Sequence, residues 1–114
     1  ILVLGPSTPR ERIVKCKIIG VLYLLDRGER DDKLIAVSSD SPMIDVNNMK
    51  ELKDTYEGVL EIIKLWFENY KGPGLIKSRG YGNKTEAIDI LNNAIEQYKM
   101  HELQPFRRQS NFMF

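Results

Sequence analysis

Asp26 and Asp31 stand five residues apart, and Lys33 follows two positions after the second. They lie in residues 24–37, which read Leu-Leu-Asp-Arg-Gly-Glu-Arg-Asp-Asp-Lys-Leu-Ile-Ala-Val, an acidic turn between two apolar β-runs. Two carboxylates and an ammonium on one rim of a sheet set hard oxygen ligands beside a cation that seeks phosphate. Oxygen donors suit magnesium, which takes one or two carboxylates and completes its shell with water and substrate phosphate. The segment has the composition of half a metal–phosphate site. Taken alone, it is also the composition of a charged, solvated hairpin. Further along, Tyr70 and Lys71 close an amphipathic stretch just ahead of Gly72, Pro73 and Gly74. A phenol and an ammonium can both donate to phosphate oxygens, although a lysine at a helix end also simply complements the helix dipole. No nucleophile paired with a base stands out, and His101 is the one histidine.

The elements that must position these side chains follow from the apolar pattern. Residues 1–4, Ile-Leu-Val-Leu, read as a short strand closed by the turn Gly-Pro-Ser-Thr-Pro. From Arg12 the pattern alternates, with Val14, Cys16 and Ile18 on one face and Lys15 and Lys17 on the other. Gly20 interrupts it before residues 21–25 continue as an apolar strand, which suggests a bulge or a barrel bend. Residues 26–32 form the turn, 33–37 the next strand, and 38–48 a loop rich in Ser, Asp and Asn. Asp54 with Glu57 predicts a capping box. It precedes a helix over 59–70 striped by Val59, Ile62, Ile63, Trp66, Phe67 and Tyr70. Residues 75–81 predict a short strand. Asn83 with Glu86 then opens a second helix carrying Ala87, Leu91, Ala94, Ile95 and Tyr98 on its apolar face. Strands followed by helices argue an α+β fold with a barrel-like sheet.

Length and composition narrow the class. A chain of 114 residues is one domain or less. A net charge of +1 lacks the basic excess of a nucleic-acid binder. No apolar run approaches the ~20 residues that span a bilayer, so neither nucleic acid nor membrane is expected as a partner. A single cysteine, Cys16, fits a reducing, cytoplasmic setting. The chain opens on four apolar residues without an initiator Met, so the expectation is that it starts inside a strand of something larger. The tail, residues 101–114, reads as a C-terminal extension. It carries Leu103, Phe106, Phe112, Met113 and Phe114 beside Arg107 and Arg108. Its apolar content predicts that Phe106 packs beside the last helix, with the arginines at the edge of that contact.

Residues 20–37 together with Trp66, Phe67, Glu68, Asn69, Tyr70 and Lys71 resemble the family I soluble inorganic pyrophosphatases. The acidic segment is similar to that family's Asp-x4-Asp-x-Lys element and the helix end to its Phe-x-x-Tyr-Lys element, in the expected order and spacing. The resemblance implies a partial pyrophosphatase domain over residues 1–100, built as an OB-like barrel without its N-terminal strands and flanked by two C-terminal helices. It implies that Asp26 and Asp31 ligate Mg2+ and that Lys33, Tyr70 and Lys71 hold pyrophosphate. The reaction implied is hydrolysis of pyrophosphate to two phosphates by metal-activated water, in a homo-oligomeric enzyme. The family's Asp-x-Asp-x-x-Asp run, which would precede residues 1–4, has no counterpart among the 114 residues. No catalytic residue is therefore expected within this chain, and by itself it is expected to be inactive. The competing expectation is a non-catalytic phosphate-binding or oligomerisation module derived from that fold.

Overall fold

Apolar residues concentrate in one long strand, and the rest of the sheet is built around it. The computed structural model describes residues 1–7 and 13–102. Strand β2 (Cys16–Asp26) carries Ile19, Val21, Leu22 and Leu24, all closed to solvent. A strand covered on both faces shows a continuous apolar run in place of alternation, which is the pattern of residues 18–25. Between β2 and the next strand, β3 (Glu29–Arg30), the turn is only Arg27 and Gly28. Both have left-handed φ, 52° and 84°, the type I′ geometry that matches strand twist. It is tighter than a loop over 26–32, because Asp26 and Glu29 flank the turn as strand residues.

Strand β4 (Lys33–Ser38) pairs antiparallel with β2, Leu22 facing Lys33. β3 pairs with β2 in the same register, Leu25 facing Arg30, so β3 and β4 are one return strand broken at Asp31 and Asp32. The ladder persists through the break, since the Asp31 N–H donates to the Leu24 carbonyl at 2.9 Å. The expected irregularity at Gly20 is present as a register shift between Ile18 and Gly20. A Cβ at Gly20 would collide with the Met49 side chain, so the missing side chain lets a helix approach the strand. β1 (Leu2–Leu4) runs parallel to β4 on its outer edge. β5 (Ile76–Gly82) pairs antiparallel with the other side of β2.

The sheet is mixed, five-stranded and open. A barrel requires its outer strands to meet, and among the described residues nothing joins β1 to β5.

Three helices cover the sheet, not the two expected. The additional one, α1 (Met49–Thr55), has seven residues and buries only Leu52, too little to print a helical stripe. Its start carries the true capping box. Asn48 Oδ1 accepts the Glu51 N–H at 2.9 Å, and Glu51 Oε2 accepts the Asn47 N–H at 2.6 Å. Asp54, read as the cap of the following helix, lies inside α1. Helix α2 (Val59–Asn69) instead starts at Gly58, with φ 87° and no side-chain cap. Of the expected stripe, Ile63 and Phe67 are buried, while Ile62 and Trp66 face solvent.

Helix α3 (Lys84–Glu102) starts as expected, with Asn83 Oδ1 accepting the Glu86 N–H at 2.9 Å. Ala87 packs on Val21 and Leu34, with Leu91 against them. Ala94, Ile95 and Tyr98, expected on the apolar face, are exposed.

The main core joins Ile19, Leu22, Leu24, Ile35 and Val37 of the sheet to Leu52, Ile63 and Phe67 of α1 and α2. Burying each such side chain is worth about 1.5–3 kcal/mol. Leu34 and Ile35 are strand neighbours in different clusters, so α3 occupies the face opposite α1 and α2. Cys16, expected on the same face as Val14 and Ile18, is exposed at the start of β2, ahead of the buried stretch. The expectation for Phe106 falls on residues outside those described. No described helix is long and apolar enough to cross a membrane.

Candidate metal–phosphate site

Sheet pairing brings the two distant candidate segments together. β2 and β5 align Asp26 with Ile76 and Leu25 with Lys77. The turn is pinned as well, since the Arg27 N–H donates to the Leu75 carbonyl at 2.8 Å. Residues 71–75, which leave α2, are thereby held against the tip of the acidic hairpin. Helix α2 must stop there. Tyr70 is its C-cap, the Gly72 N–H donates to the Asn69 carbonyl at 3.0 Å, and Gly72 takes φ 116°.

The consequence is a direct contact across 45 residues of sequence: Lys71 Nζ donates to Asp26 Oδ2 at 2.6 Å. The Asp26 carboxyl is held below the usual carboxylate range, first by this hydrogen bond and then by the charges of Lys71, Arg27 and Lys33, with burial opposing. The Lys71 ammonium is raised in turn, chiefly by the same bond. Asp31 Oδ1 accepts a 3.0 Å ion pair from Lys33 Nζ. Asp26, Arg27, Glu29, Arg30 and Asp31 line one depression of about 400 Å³. Tyr70 lies beside it, with Lys71 Nζ 5.7 Å from its ring centre. The five candidate residues thus form two ion pairs and a phenol around one end of the sheet.

Asp32 stands elsewhere. Neighbouring strand residues point to opposite faces, and Asp32 Oδ2 accepts the Arg30 Nε–H at 3.0 Å beside Tyr23 and Arg79. The alternation separates two adjacent aspartates that composition alone cannot tell apart.

The donor set can be tested against a metal. Asp26 Oδ1 is buried and has no hydrogen-bond partner; the nearest cation, Arg27 Nε, is 3.9 Å away. A carboxylate with one oxygen satisfied and the other bare has room for a cation; Asp32 Oδ1 is bare in the same way, so this feature alone does not select Asp26. With Asp31 on the same depression, the pair fits the one or two carboxylates that magnesium uses. Among the described residues no group of three or more His, Cys, Asp or Glu side chains could hold a metal, so the fit is to part of a coordination shell. Arg27 is the rim residue that motif reading passed over. Its signal was its place beside Asp26 in a two-residue turn.

The family model for inorganic pyrophosphatase matches residues 1–99. The inorganic pyrophosphatase of Helicobacter pylori is 36% identical over 90 residues, covering 76% of this chain and 52% of that protein. That of Mus musculus is 32% identical over 99 residues, covering 79% of this chain and 34% of its own length. The solved Helicobacter pylori inorganic pyrophosphatase aligns with a TM-score of 0.75 at 32% identity, over 86% of this chain and 60% of that one. The type I inorganic pyrophosphatase of Toxoplasma gondii shares the fold, with a TM-score of 0.78 at 24% identity, over 86% of this chain and 46% of its own. The chain spans about half the length, or less, of the two curated relatives. With its sequence matched from residue 1 to 99, the chain belongs to the inorganic pyrophosphatase family.

Proposed function

We propose that these residues are part of the active site of a Mg2+-dependent inorganic diphosphatase, which splits pyrophosphate into two phosphates. Asp26 and Asp31 ligate the metal, and Lys33, Tyr70 and Lys71 bind the phosphates. The supporting observation is the contact between Lys71 and Asp26, which unites the acidic hairpin with the helix end. Hydrolysis of a phosphoanhydride depends mainly on positioning and charge neutralisation. Magnesium, when bound, supplies positive charge against the phosphate oxygens and acidifies the attacking water. The protein groups do the rest. Lys33 and Lys71 neutralise oxygens that carry the growing charge, and Tyr70 donates a hydrogen bond that fixes their orientation. Lys71 must exchange Asp26 for substrate, which frees a carboxylate oxygen as it does so. The groups that direct the water come from outside the 114 residues, completing an OB-like barrel around this open sheet. The exposed thiol of Cys16 fits a cytoplasmic enzyme, and the exposed apolar side chains of α2 and α3 fit a homo-oligomer.

The test is phosphate release from pyrophosphate by the protein at its natural length. Chelation should abolish it and Mg2+ restore it. Asp26→Ala and Lys71→Met should each lower turnover by about 10²-fold, the scale of losing one charge-stabilising group. Turnover unaffected by either substitution would overturn the assignment.

A further inference from the structure

Trp66 is the only tryptophan of the chain and is 57% exposed. Helix α2 is anchored in the core by Ile63 and Phe67, so it does not depend on Trp66 for burial. The indole is nonetheless ordered by contacts. It stacks on Tyr70 with ring centres 4.7 Å apart and planes within 4°. Phe67, buried, meets Trp66 edge-on at 5.0 Å and Tyr70 edge-on at 6.0 Å. Residues 66 and 70 are one helical turn apart, the spacing at which side chains on a helix surface touch.

That stack sits at the last turn of the helix. Tyr70 is the C-cap, its N–H still donating to the Trp66 carbonyl at 3.0 Å, and Gly72, two residues on, has left-handed φ. The Tyr70 backbone is thus held as helix, while its ring is met by Trp66 and Phe67. The next residue is Lys71, whose Nζ lies 5.7 Å from the Tyr70 ring centre, within reach of a cation–π attraction. A chain of contacts runs from Phe67 in the core, through Trp66 and Tyr70, to the ammonium that touches Asp26.

We propose that Trp66 is a positioning residue, which by stacking on Tyr70 holds the phenol, and with it the Lys71 ammonium, ready to receive a phosphate group at the Asp26–Asp31 depression. The inference rests on the assignment of Tyr70 and Lys71 to phosphate binding. It makes the exposed aromatic a functional feature of the helix and not surplus surface.

The experiment uses the protein at its natural length, with inorganic phosphate in Mg2+, or pyrophosphate in chelator so that it is not hydrolysed, as the probe. Binding is read by calorimetry, and the emission of Trp66 by difference from the Trp66→Phe variant. Losing one aromatic stack should weaken phosphate binding by about 2- to 10-fold in Trp66→Leu, without lowering the melting temperature. Trp66→Phe, which keeps a stacking ring, should recover most of that loss. Ile62→Ala, exposed on the same helix but outside the stack, should leave binding unchanged. Trp66 emission should change when pyrophosphate is added, and should not change in Tyr70→Leu. Wild-type affinity in Trp66→Leu, or an emission indifferent to pyrophosphate, would overturn the positioning role. If Tyr70→Leu and Lys71→Met bind pyrophosphate as tightly as wild type, the phosphate-site assignment itself fails. If they lose binding while Trp66→Leu keeps it, only the role of Trp66 fails.

Discussion

Lys71 and Asp26 each change how the other titrates, and the pair is open enough to solvent for this to be seen without unfolding. The Asp26 side chain is 20% exposed and that of Lys71 38%. Asp26 titrates below the ordinary 3.8, so its share of the contact is present above that value and is lost as pH falls through the lower folded one. Lys71 titrates above the ordinary 10.5, so its share is present below that value and is lost as pH rises through the higher folded one. The contact therefore spans the neutral range and fails at both ends. In the metal-free protein, NMR titration of the Asp26 carboxyl carbon should give a midpoint below 3.8, and Lys71→Met should raise it. An unchanged midpoint would show that the pair does not form in solution. The adjacent aspartates give a second residue-scale expectation. At natural length Asp31→Ala should cost about 10²-fold in turnover, and Asp32→Ala far less, because Asp31 lines the depression beside Asp26 and Asp32 does not. Equal losses would mean that the strand register has been misread.

Helix α3 is docked through its first turns, and that makes its attachment measurable. Among the described residues Ala87 is its one fully buried side chain, set against Val21 and Leu34, with Ile90 and Leu91 packed around them. Beside it, the Tyr23 phenol donates to Glu86 Oε2 at 2.5 Å. That bond, with burial next, pushes the Tyr23 pKa up to about 12 from 10.0. A raised value in the folded state contributes stability fully present below pH 10 and lost as pH rises towards 12. Ultraviolet titration of the phenol should show this late ionisation, and Glu86→Gln should bring it earlier. At the other face, α1 rests against β2 only because position 20 has no side chain. Gly20→Ala would drive a Cβ into Met49. Overpacking of that kind costs about 1–3 kcal/mol, which chemical denaturation would reveal as a lower midpoint. A neutral Gly20→Ala would mean that Met49 moves aside freely.

At the scale of the molecule, the described residues form a two-faced sheet whose outer strands, β1 and β5, do not pair with each other, and whose helices keep large apolar side chains in water. Ile62, Leu65 and Trp66 on α2 and Tyr98 and Met100 on α3 are each more than half exposed. Where such groups form a contiguous patch they mark a surface that associates, which is the basis of the proposed homo-oligomer. The proposed site offers only two carboxylates to a metal among the described residues. The 114-residue chain alone should release phosphate from pyrophosphate far more slowly than ~1 per second, whatever the Mg2+ supply. Turnover above that rate would place the whole catalytic centre within these residues.

Local patterns in the sequence determined a good part of this protein. The apolar run around Gly20 specified a bulged, buried strand, and Asn83 with Glu86 marked the start of α3. The spacing of Asp26, Asp31 and Lys33, with Tyr70 and Lys71, named the side chains that the fold gathers at one end of the sheet. These were legible because strand burial, a helix cap and a ligand motif each extend over a few neighbouring residues. Other features were not local. Asp54 and Glu57 match a capping box, yet Asp54 lies inside α1 and α2 starts at Gly58, where the chain turns between the two helices with φ 87°. The stripes of α2 and α3 were read as core faces, but which half of a stripe is covered depends on what packs there. Ile62, Ile95 and Tyr98 found nothing. Only the tertiary structure decided that Lys71 meets Asp26. Their contact depends on β5 pairing with β2, a long-range choice of register that no short window of sequence contains.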